Sequence, residues 1–281
     1  MSPILARTSG VTVWATSLER KRRAGGGDPV GAQDCMPIYW TNADGTSIQG
    51  GGNTFWKDDN AAYLKVAVPY NGSNGGTTFS DVHADITGTS GSNHTFTVHG
   101  NSQTSTATSK YYGSSGLFDG SGDYLTASSN ADWSLDGDFT IEGWMNLDSG
   151  QKGIICSVGD ASNQGDDGFE FYAAQSNDFR VYGNATGGGS SLYWFGTGNG
   201  TFGYGSWHHF ALVRASGVAK AYINGTDIGK TYTTNTTYEG QLTLAAEYYD
   251  SGYDGHDGYL QDFRLYKGVA KYTSNFTIFP G

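Results

Sequence analysis

The chain has 281 residues, of which 44 are glycine, 14% are aromatic and only 15% are charged. Its formal net charge of −11 argues against general affinity for nucleic acid, because polyphosphates select basic surfaces. Abundant glycine and aromatic residues suit strands joined by tight turns, and they are poor helix formers. We therefore expect an all-β protein whose core is large enough to need neither metals nor disulfides.

Residues 1–60 differ from the rest of the chain. They carry six basic and six acidic side chains, so the whole acidic excess lies in residues 61–281. Glycine triplets at 25–27 and 50–52 separate small apolar clumps, none of which can form a core. We predict an extended N-terminal arm that packs on a partner. The residues expected to contact this partner are Trp14, Arg20, Lys21, Arg22, Arg23, Tyr39 and Trp40.

Two further features of the chain bear on its location. The N-terminus lacks an apolar run after a basic start, and no stretch is long and apolar enough to cross a membrane. We therefore expect synthesis in a host cytoplasm without a signal peptide. The basic run at 20–23 fits an acidic neighbouring subunit, although such runs also contact nucleic acid.

From residue 61 onward, alternating apolar and polar residues predict about a dozen short strands. Asn224-Gly225 is the strongest hairpin signal, because both residues accept a positive φ. The only helical signal is one turn at 268–272. The pattern predicts a two-sheet antiparallel sandwich with Trp144, Trp207 and Phe263 in its interior. The predicted strands are 63–68, 94–99, 139–145, 153–158, 168–172, 179–182, 209–214, 218–223, 242–246 and 260–266.

Five segments carry a family resemblance. They read FDGSGDYL (118–125), DFTIEGW (138–144), WHHFALVR (207–214), YING (222–225) and LQDFRLYKGVAKY (260–272). In this order they resemble the strands of laminin G-like, concanavalin A-like lectin domains, over the whole region that follows the arm. The resemblance implies a jelly-roll sandwich.

Two other stretches, YNGSNGGTTFSD and LYKGVAKYTSNFT, resemble in style the domains carried on phage particles, especially marine ones. We expect a non-enzymatic virion protein on the exterior of the particle: a head decoration, a head fibre or a tail-associated adhesin. Its partners would be other virion proteins and further copies of this chain. The alternative is a free carbohydrate-binding lectin module outside any virion.

Catalysis is not expected. Sandwich relatives that hydrolyse β-glucans place two carboxylates beside the scissile bond, as Glu-x-Asp-x-(x)-Glu on one strand. None of the five glutamates fits this pattern; they are Glu19, Glu142, Glu170, Glu239 and Glu247. Successive strand residues alternate faces, so His208 and His209 are interpreted as structural and not as metal ligands.

Two Asp-rich loops, 160–167 and 247–257, contain the oxygen ligands that calcium prefers. They are similar to loops that hold calcium in pentraxins, which share the sandwich. Asp167 and Glu247 hold the positions that best match the pentraxin loops, and the rest of the pentraxin ligand pattern is missing. The residues predicted to bind calcium are Asp166, Asp167, Glu247 and Asp250. The alternative is that these are solvated turn residues.

A host-surface glycan is the expected ligand of a lectin-like sandwich. Sugars stack on exposed aromatic rings. The candidate residues are Tyr193, Trp194, Tyr248, Tyr249 and Tyr253. Tyr193 and Trp194 are consecutive, so in a strand their rings would point to opposite faces and at least one could be exposed. The alternative is that these rings pack within the sandwich.

Overall fold

The computed structural model describes residues 39–41, 47–49, 58, 60–87, 92–148, 153–159, 168–174, 178–183, 192–196, 202–247 and 255–278. Helix is confined to one short α-helix, α1 (His83–Thr87), and two 3-10 turns, Ala61–Tyr63 and Ala131–Trp133, within these residues. No helix in these ranges has the length and apolarity to cross a membrane.

Seventeen strands make up the rest of the regular structure in the described ranges. The first nine are β1 (Tyr39–Thr41), β2 (Ser47–Gln49), β3 (Leu64–Val68), β4 (Thr97–His99), β5 (Gln103–Ser105), β6 (Ser115–Asp119), β7 (Tyr124–Ala127), β8 (Phe139–Leu147) and β9 (Gly153–Gly159). The others are β10 (Phe169–Ala174), β11 (Asp178–Gly183), β12 (Leu192–Gly196), β13 (His208–Ala215), β14 (Val218–Ile223), β15 (Thr226–Thr233), β16 (Gln241–Leu244) and β17 (Asp257–Lys267).

Two antiparallel sheets form the predicted sandwich. One has seven strands in the order β12-β11-β10-β9-β16-β7-β4. The other has eight strands in the order β15-β14-β13-β8-β17-β6-β5, and β3 also pairs with β17. Between the sheets, side chains from both inner faces interdigitate in one apolar core. Examples are Phe118, Ile141, Phe171, Leu212 and Leu244.

Turn chemistry explains how neighbouring strands connect. Asn224 and Gly225 have φ values of 49° and 78°, which confirms the predicted tight hairpin turn between β14 and β15. Ser216 and Gly217 make the same kind of turn between β13 and β14. The segment 118–125 is divided between β6 and β7, because Gly120 and Gly122 both take a positive φ in the turn that separates them.

The three residues predicted to lie in the interior differ in their location and burial. Phe263 lies in the main core, and Trp144 is buried on the outer face of the eight-stranded sheet, against Tyr111 and His209. Trp207 is only half-buried at the start of β13, so its placement in the interior was wrong. Its indole NH donates to Thr108 Oγ1 at 3.1 Å, a polar contact suited to the sandwich edge.

The chain after β17 covers the outer face of the eight-stranded sheet. Residues 268–278 form no helix, contrary to the turn expected at 268–272. Instead, Tyr272 and Phe276 stack on each other at 3.6 Å and pack over Tyr222. We call the outer face of this sheet the covered face; it includes Glu142, Trp144, His209, Val213, Tyr222, Arg264 and Tyr266.

Candidate functional site

The outer face of the seven-stranded sheet carries polar side chains across nearly its whole width. Directly paired residues of an antiparallel sheet share a face, so the strand register defines the row. We call this surface the hydroxyl face; from β11 to β4 the row runs Tyr182, Glu170, Ser157, Thr243, Thr126 and Thr97. Ser157 and Thr243 are buried at its centre, whereas the residues toward both ends are half-buried or exposed.

Stacked aromatic rings and a cation occupy the β10–β11 end of the hydroxyl face. The rings of Tyr172 and Tyr182 stack at 5.6 Å with an interplanar angle of 11°. Arg180, in register with Tyr172, donates through Nε to Asp178 Oδ2 at 2.8 Å and keeps about a third of its side chain exposed (36%). Two phenols, a guanidinium and a carboxylate therefore lie together; Tyr182 and Arg180 are half-buried, whereas Tyr172 and Asp178 are buried.

Electrostatics fix the protonation of this group. Burial raises the pKa of Tyr172, and a hydrogen bond with Tyr182 adds to the rise. The hydrogen bond to Asp178 raises the pKa of Arg180. At neutral pH the Tyr172 phenol is therefore a neutral group that can donate a hydrogen bond, and the Arg180 guanidinium is charged.

A second aromatic pair lies at the β4–β7 end of the hydroxyl face. The rings of His99 and Tyr124 stack at 4.1 Å, and His99 Nε2 lies 2.9 Å from Thr126 Oγ1. Burial lowers the pKa of His99, which keeps the ring neutral at neutral pH. Each end of this face thus carries a pair of stacked aromatic rings.

The covered face has a different chemistry, because it encloses ion pairs. Glu142 Oε1 lies 2.6 Å from Lys271 Nζ and 3.5 Å from Arg264, and Glu142 Oε2 accepts from the Tyr272 hydroxyl at 2.6 Å. Burial alone would raise the pKa of Glu142, but Lys271, Arg264 and His209 lower it to about 2. Glu142 is therefore a buried carboxylate with fixed partners.

His209 belongs to the same enclosed group. It is fully buried, and burial lowers its pKa to about 4, so the ring is neutral. His208 is directed elsewhere: its Nε2 contacts Gly203 at 3.0 Å and its Nδ1 contacts Asn224 at 3.1 Å. The two rings make separate structural contacts, in agreement with the interpretation of the His-His pair as structural.

A histidine–aspartate cluster near α1 has the composition of a metal site. Ligand atoms of Asp81, His83 and His94 lie within 4.8 Å of one another. The two imidazole rings are stacked at 4.9 Å with only 14° between their planes, so their in-plane lone pairs do not converge on a shared ion. Asp81 Oδ2 is 2.6 Å from His83 Nδ1 and also accepts from the His94 amide. This cluster therefore has a structural role: its hydrogen bonds and stacked rings hold α1 against the adjoining loop.

Comparison with known proteins identifies the family. A family model described as the concanavalin A-like lectin/glucanases superfamily matches residues 119–271, more than half of the chain. The chain belongs to this superfamily. A search of curated proteins gave no match.

Solved structures support the same fold at low sequence identity. Domain 4 of the arabinanase AbnA from Geobacillus stearothermophilus, in complex with arabinotriose, aligns with a TM-score of 0.51 and 15% identity, over 74% of this chain and 93% of that domain. The botulinum neurotoxin serotype C1 binding domain aligns with a TM-score of 0.53 and 15% identity, over 76% of this chain. The binding domain of botulinum neurotoxin DC in complex with SialylT gives 0.50 and 15%, also over 76%. This chain spans about half the length of the neurotoxin binding domains.

The predicted glycan-binding residues lie partly outside the described residues. Tyr193 is in β12, opposite Tyr182, and the register passes from Phe195 to Tyr193 at an irregularity that contains Trp194. Tyr248, Tyr249 and Tyr253 lie outside the described residues, so their role stays a prediction.

The sequence analysis did not select Tyr172, Tyr182 or Arg180 as site residues. For Tyr172, the alternation of residues in its strand could have indicated the outer face. In β10 the core residues Phe169 and Phe171 alternate with Glu170 and Tyr172. That alternation assigns the second pair to the outer face of a superfamily sandwich.

Of the four residues predicted to bind calcium, Glu247 is the one that lies within the described residues. This residue is buried and follows Ala246, which forms an isolated bridge with Gly255. Asp166, Asp167 and Asp250 lie outside the described residues. Calcium binding by these four residues therefore stays a prediction.

The predicted arm is described at only a few positions. Tyr39 and Trp40 lie in β1, which pairs with β2 in a small hairpin, and Asp58 contacts Tyr266 of the sandwich. Trp14, Arg20, Lys21, Arg22 and Arg23 lie outside the described residues.

Proposed function

We propose that this chain is a non-catalytic carbohydrate-binding protein that presents its sandwich on the outside of a phage particle. Its glycan site is the end of the hydroxyl face formed by Tyr172, Tyr182, Arg180 and Asp178. The observation that carries the proposal is the grouping of stacked rings with charged donors and acceptors on a partly exposed sheet face.

The chemistry of this group suits a sugar. The apolar face of a pyranose or furanose ring packs against an aromatic ring, and its hydroxyls bond to phenol, guanidinium and carboxylate groups. Two proteins of similar fold were solved with arabinotriose and with SialylT, which supports an oligosaccharide as the ligand class. Tyr193 pairs with Tyr182 in the strand register, and we include this predicted glycan-binding residue in the proposed site.

The presentation on a particle is supported by the sequence of the arm. Its apolar clumps are separated by glycine triplets, and leaving large aromatic side chains in water costs about 1.5–3 kcal/mol each relative to burial. The basic run at 20–23 complements the acidic excess of residues 61–281, which favours a partner that is another copy or another acidic virion protein.

A glycan array followed by titration calorimetry tests the ligand. We expect the full chain to retain arabino-oligosaccharides or sialylated oligosaccharides, and both Tyr182→Ala and Arg180→Met to weaken binding at least tenfold. Tyr63→Ala is the matched control, because Tyr63 is exposed on the other side of the sandwich. Equal affinity for all variants, or no retained glycan, would contradict the proposed site.

Analysis of purified particles tests the location. We expect the chain to co-sediment with particles, to be labelled on their surface by antibody, and to be lost from them when Arg20, Lys21, Arg22 and Arg23 are all changed to Gln. Recovery of the chain only as free protein would favour the alternative, a lectin module outside any virion.

A further inference from the structure

Three buried functional groups lie close together where the residues that follow β17 cover the sheet. They are the Lys271 amine and the carboxylates of Asp58 and Glu142. Lys271 Nζ lies 2.6 Å from Glu142 Oε1 and 3.8 Å from Asp58 Oδ2. The Lys271 side chain is 0% exposed, that of Asp58 1% and that of Glu142 2%. The ammonium group also lies over the Tyr266 ring, 4.1 Å from its centre. An amine, a carboxyl carbon and a proton acceptor are thus enclosed in one buried site beside an aromatic ring.

The three groups come from distant parts of the chain. Asp58 precedes β3, Glu142 lies in the middle of β8, and Lys271 follows β17. Because β3 pairs antiparallel with β17, the start and the end of the sandwich come together here. A covalent link at this point would close nearly the whole fold into a loop.

Hydrogen bonds hold each carboxylate in a fixed orientation. The Tyr266 hydroxyl donates to Asp58 Oδ2 at 2.5 Å, and the Asn60 amide donates to Asp58 Oδ1 at 2.8 Å. The Tyr272 hydroxyl donates to Glu142 Oε2, which leaves Oε1 to contact Lys271. Such fixed orientation lowers the entropic barrier to a reaction between neighbouring groups.

We propose that Lys271 and Asp58 become joined by an intramolecular amide bond between Nζ and Cγ, with Glu142 as the catalytic proton carrier. Glu142 Oε1 accepts a proton from the Lys271 ammonium, and the neutral amine attacks Asp58 Cγ. A carbon–oxygen bond of the carboxyl group then breaks, and that oxygen leaves as water. The water takes one proton from Glu142 and one from the nitrogen, so Glu142 returns to its carboxylate form.

The atoms and charges balance without an added reagent. One ammonium and one carboxylate are converted into one amide and one water molecule. The Tyr266 hydroxyl stabilises negative charge that develops on Asp58 Oδ2 during the attack. Glu142 is ionised at neutral pH, because Lys271, Arg264 and His209 lower its pKa, and transfer of the Lys271 proton removes one of these positive charges as Glu142 becomes protonated.

Burial favours the amide product. The enclosed group holds three carboxylates, from Asp58, Glu142 and Asp262, but only two permanent cations, from Arg264 and Lys271. Each ion removed from water carries a desolvation penalty. The amide removes one carboxylate and one ammonium from the site and leaves Arg264 with Glu142 and Asp262.

Mass spectrometry of the purified full chain under denaturing conditions tests the bond. We expect the chain to be lighter than its sequence mass by one water molecule. After proteolysis, a branched peptide pair should contain both Asp58 and Lys271. A folded chain that yields the two peptides separately, with no branched species, would overturn the proposal.

Variants test the role of each group. We expect Lys271→Arg and Asp58→Ala to show no branched peptide, and Glu142→Gln to show little or none. Lys267→Arg is the matched control, because this neighbouring lysine bonds to Ala131 O and to Asp136, outside the enclosed group, and its replacement should leave the link intact. Circular dichroism establishes that each variant folds. A complete link in folded Glu142→Gln would overturn the catalytic role of Glu142, and a link in Lys271→Arg would overturn the assignment of the amine.

Discussion

The outer faces of the two sheets differ in how their polar side chains are paired and exposed to solvent. The covered face holds a compact set of buried ions beneath residues 268–278, with Glu142 between Lys271 and Arg264. The hydroxyl face carries hydroxyls and stacked rings, half-buried or exposed toward both ends of its row. Charge alone therefore does not identify the sheet face that is open to a ligand in this sandwich. The residues that form the most ion pairs are also the most deeply buried.

The largest expected difference between the faces concerns their arginines. Arg264 is buried between Glu142 and Asp262, so Arg264→Met leaves two carboxylates without that partner and should destabilise the fold by about 3–5 kcal/mol. Arg180 pairs with Asp178 on the hydroxyl face, and Arg180→Met should cost less than about 1 kcal/mol. Urea unfolding of both variants measures the difference; similar losses would refute the contrast between the faces.

Acid sensitivity should follow the buried histidines. Burial lowers the pKa of His209 on the covered face and of His256, which contacts Ile154 O, to about 4 from a usual value of 6.5. As pH falls, the unfolded chain binds these protons first, so the stability is complete above pH 6.5 and is lost between 6.5 and 4. Each histidine accounts for a loss on the order of 3 kcal/mol.

The pH prediction is checked by urea unfolding at several pH values between 4 and 7. His256→Gln should flatten the dependence in that range, whereas His99→Gln on the hydroxyl face should change it less. Glu142 adds a further loss below about pH 4.5, because its folded pKa lies near 2. A stability that stays level from pH 7 to 4 would show that the buried rings do not resist protonation.

The fold could be predicted because its signals are local. Alternation in Phe139–Leu147 and the turn at Asn224-Gly225 each depend on neighbouring residues, and the structure contains both. Strand β15 was missed because it is an edge strand whose mostly exposed residues show no apolar alternation.

The burial of Glu142 could not be predicted in the same way. Its partners Lys271 and Tyr272 follow it by 129 and 130 positions, and no pattern around residue 142 indicates them. The grouping of Tyr172, Tyr182 and Arg180 required the pairing of β10 with β11. Adjacent aromatic residues such as Tyr193 and Trp194 were easier to notice than rings brought together by register.

Calcium provides a smaller test, at the two Asp-rich loops 160–167 and 247–257. If Asp166, Asp167, Glu247 and Asp250 share an ion, calcium should raise the melting temperature, because a ligand of the folded state stabilises it by mass action. Glu247→Gln should remove the shift, and magnesium should reproduce little of it. An unchanged melting temperature with calcium or with a chelator would contradict a calcium ion shared by these four residues.

The last and smallest effect concerns catalysis: we expect no detectable hydrolysis of β-glucans. Glycosidases hold two carboxyl groups across the scissile bond, about 5–9.5 Å apart. Glu142 is enclosed on the covered face, whereas Glu170 lies on the hydroxyl face, where its register partners are Ser157 and Tyr182. The apolar core separates the two faces, so these glutamates cannot flank one glycosidic bond. We expect no reducing ends from laminarin with the full chain; turnover that disappears in Glu170→Gln but persists in Glu239→Gln would reverse the assignment of the hydroxyl face as a binding surface only.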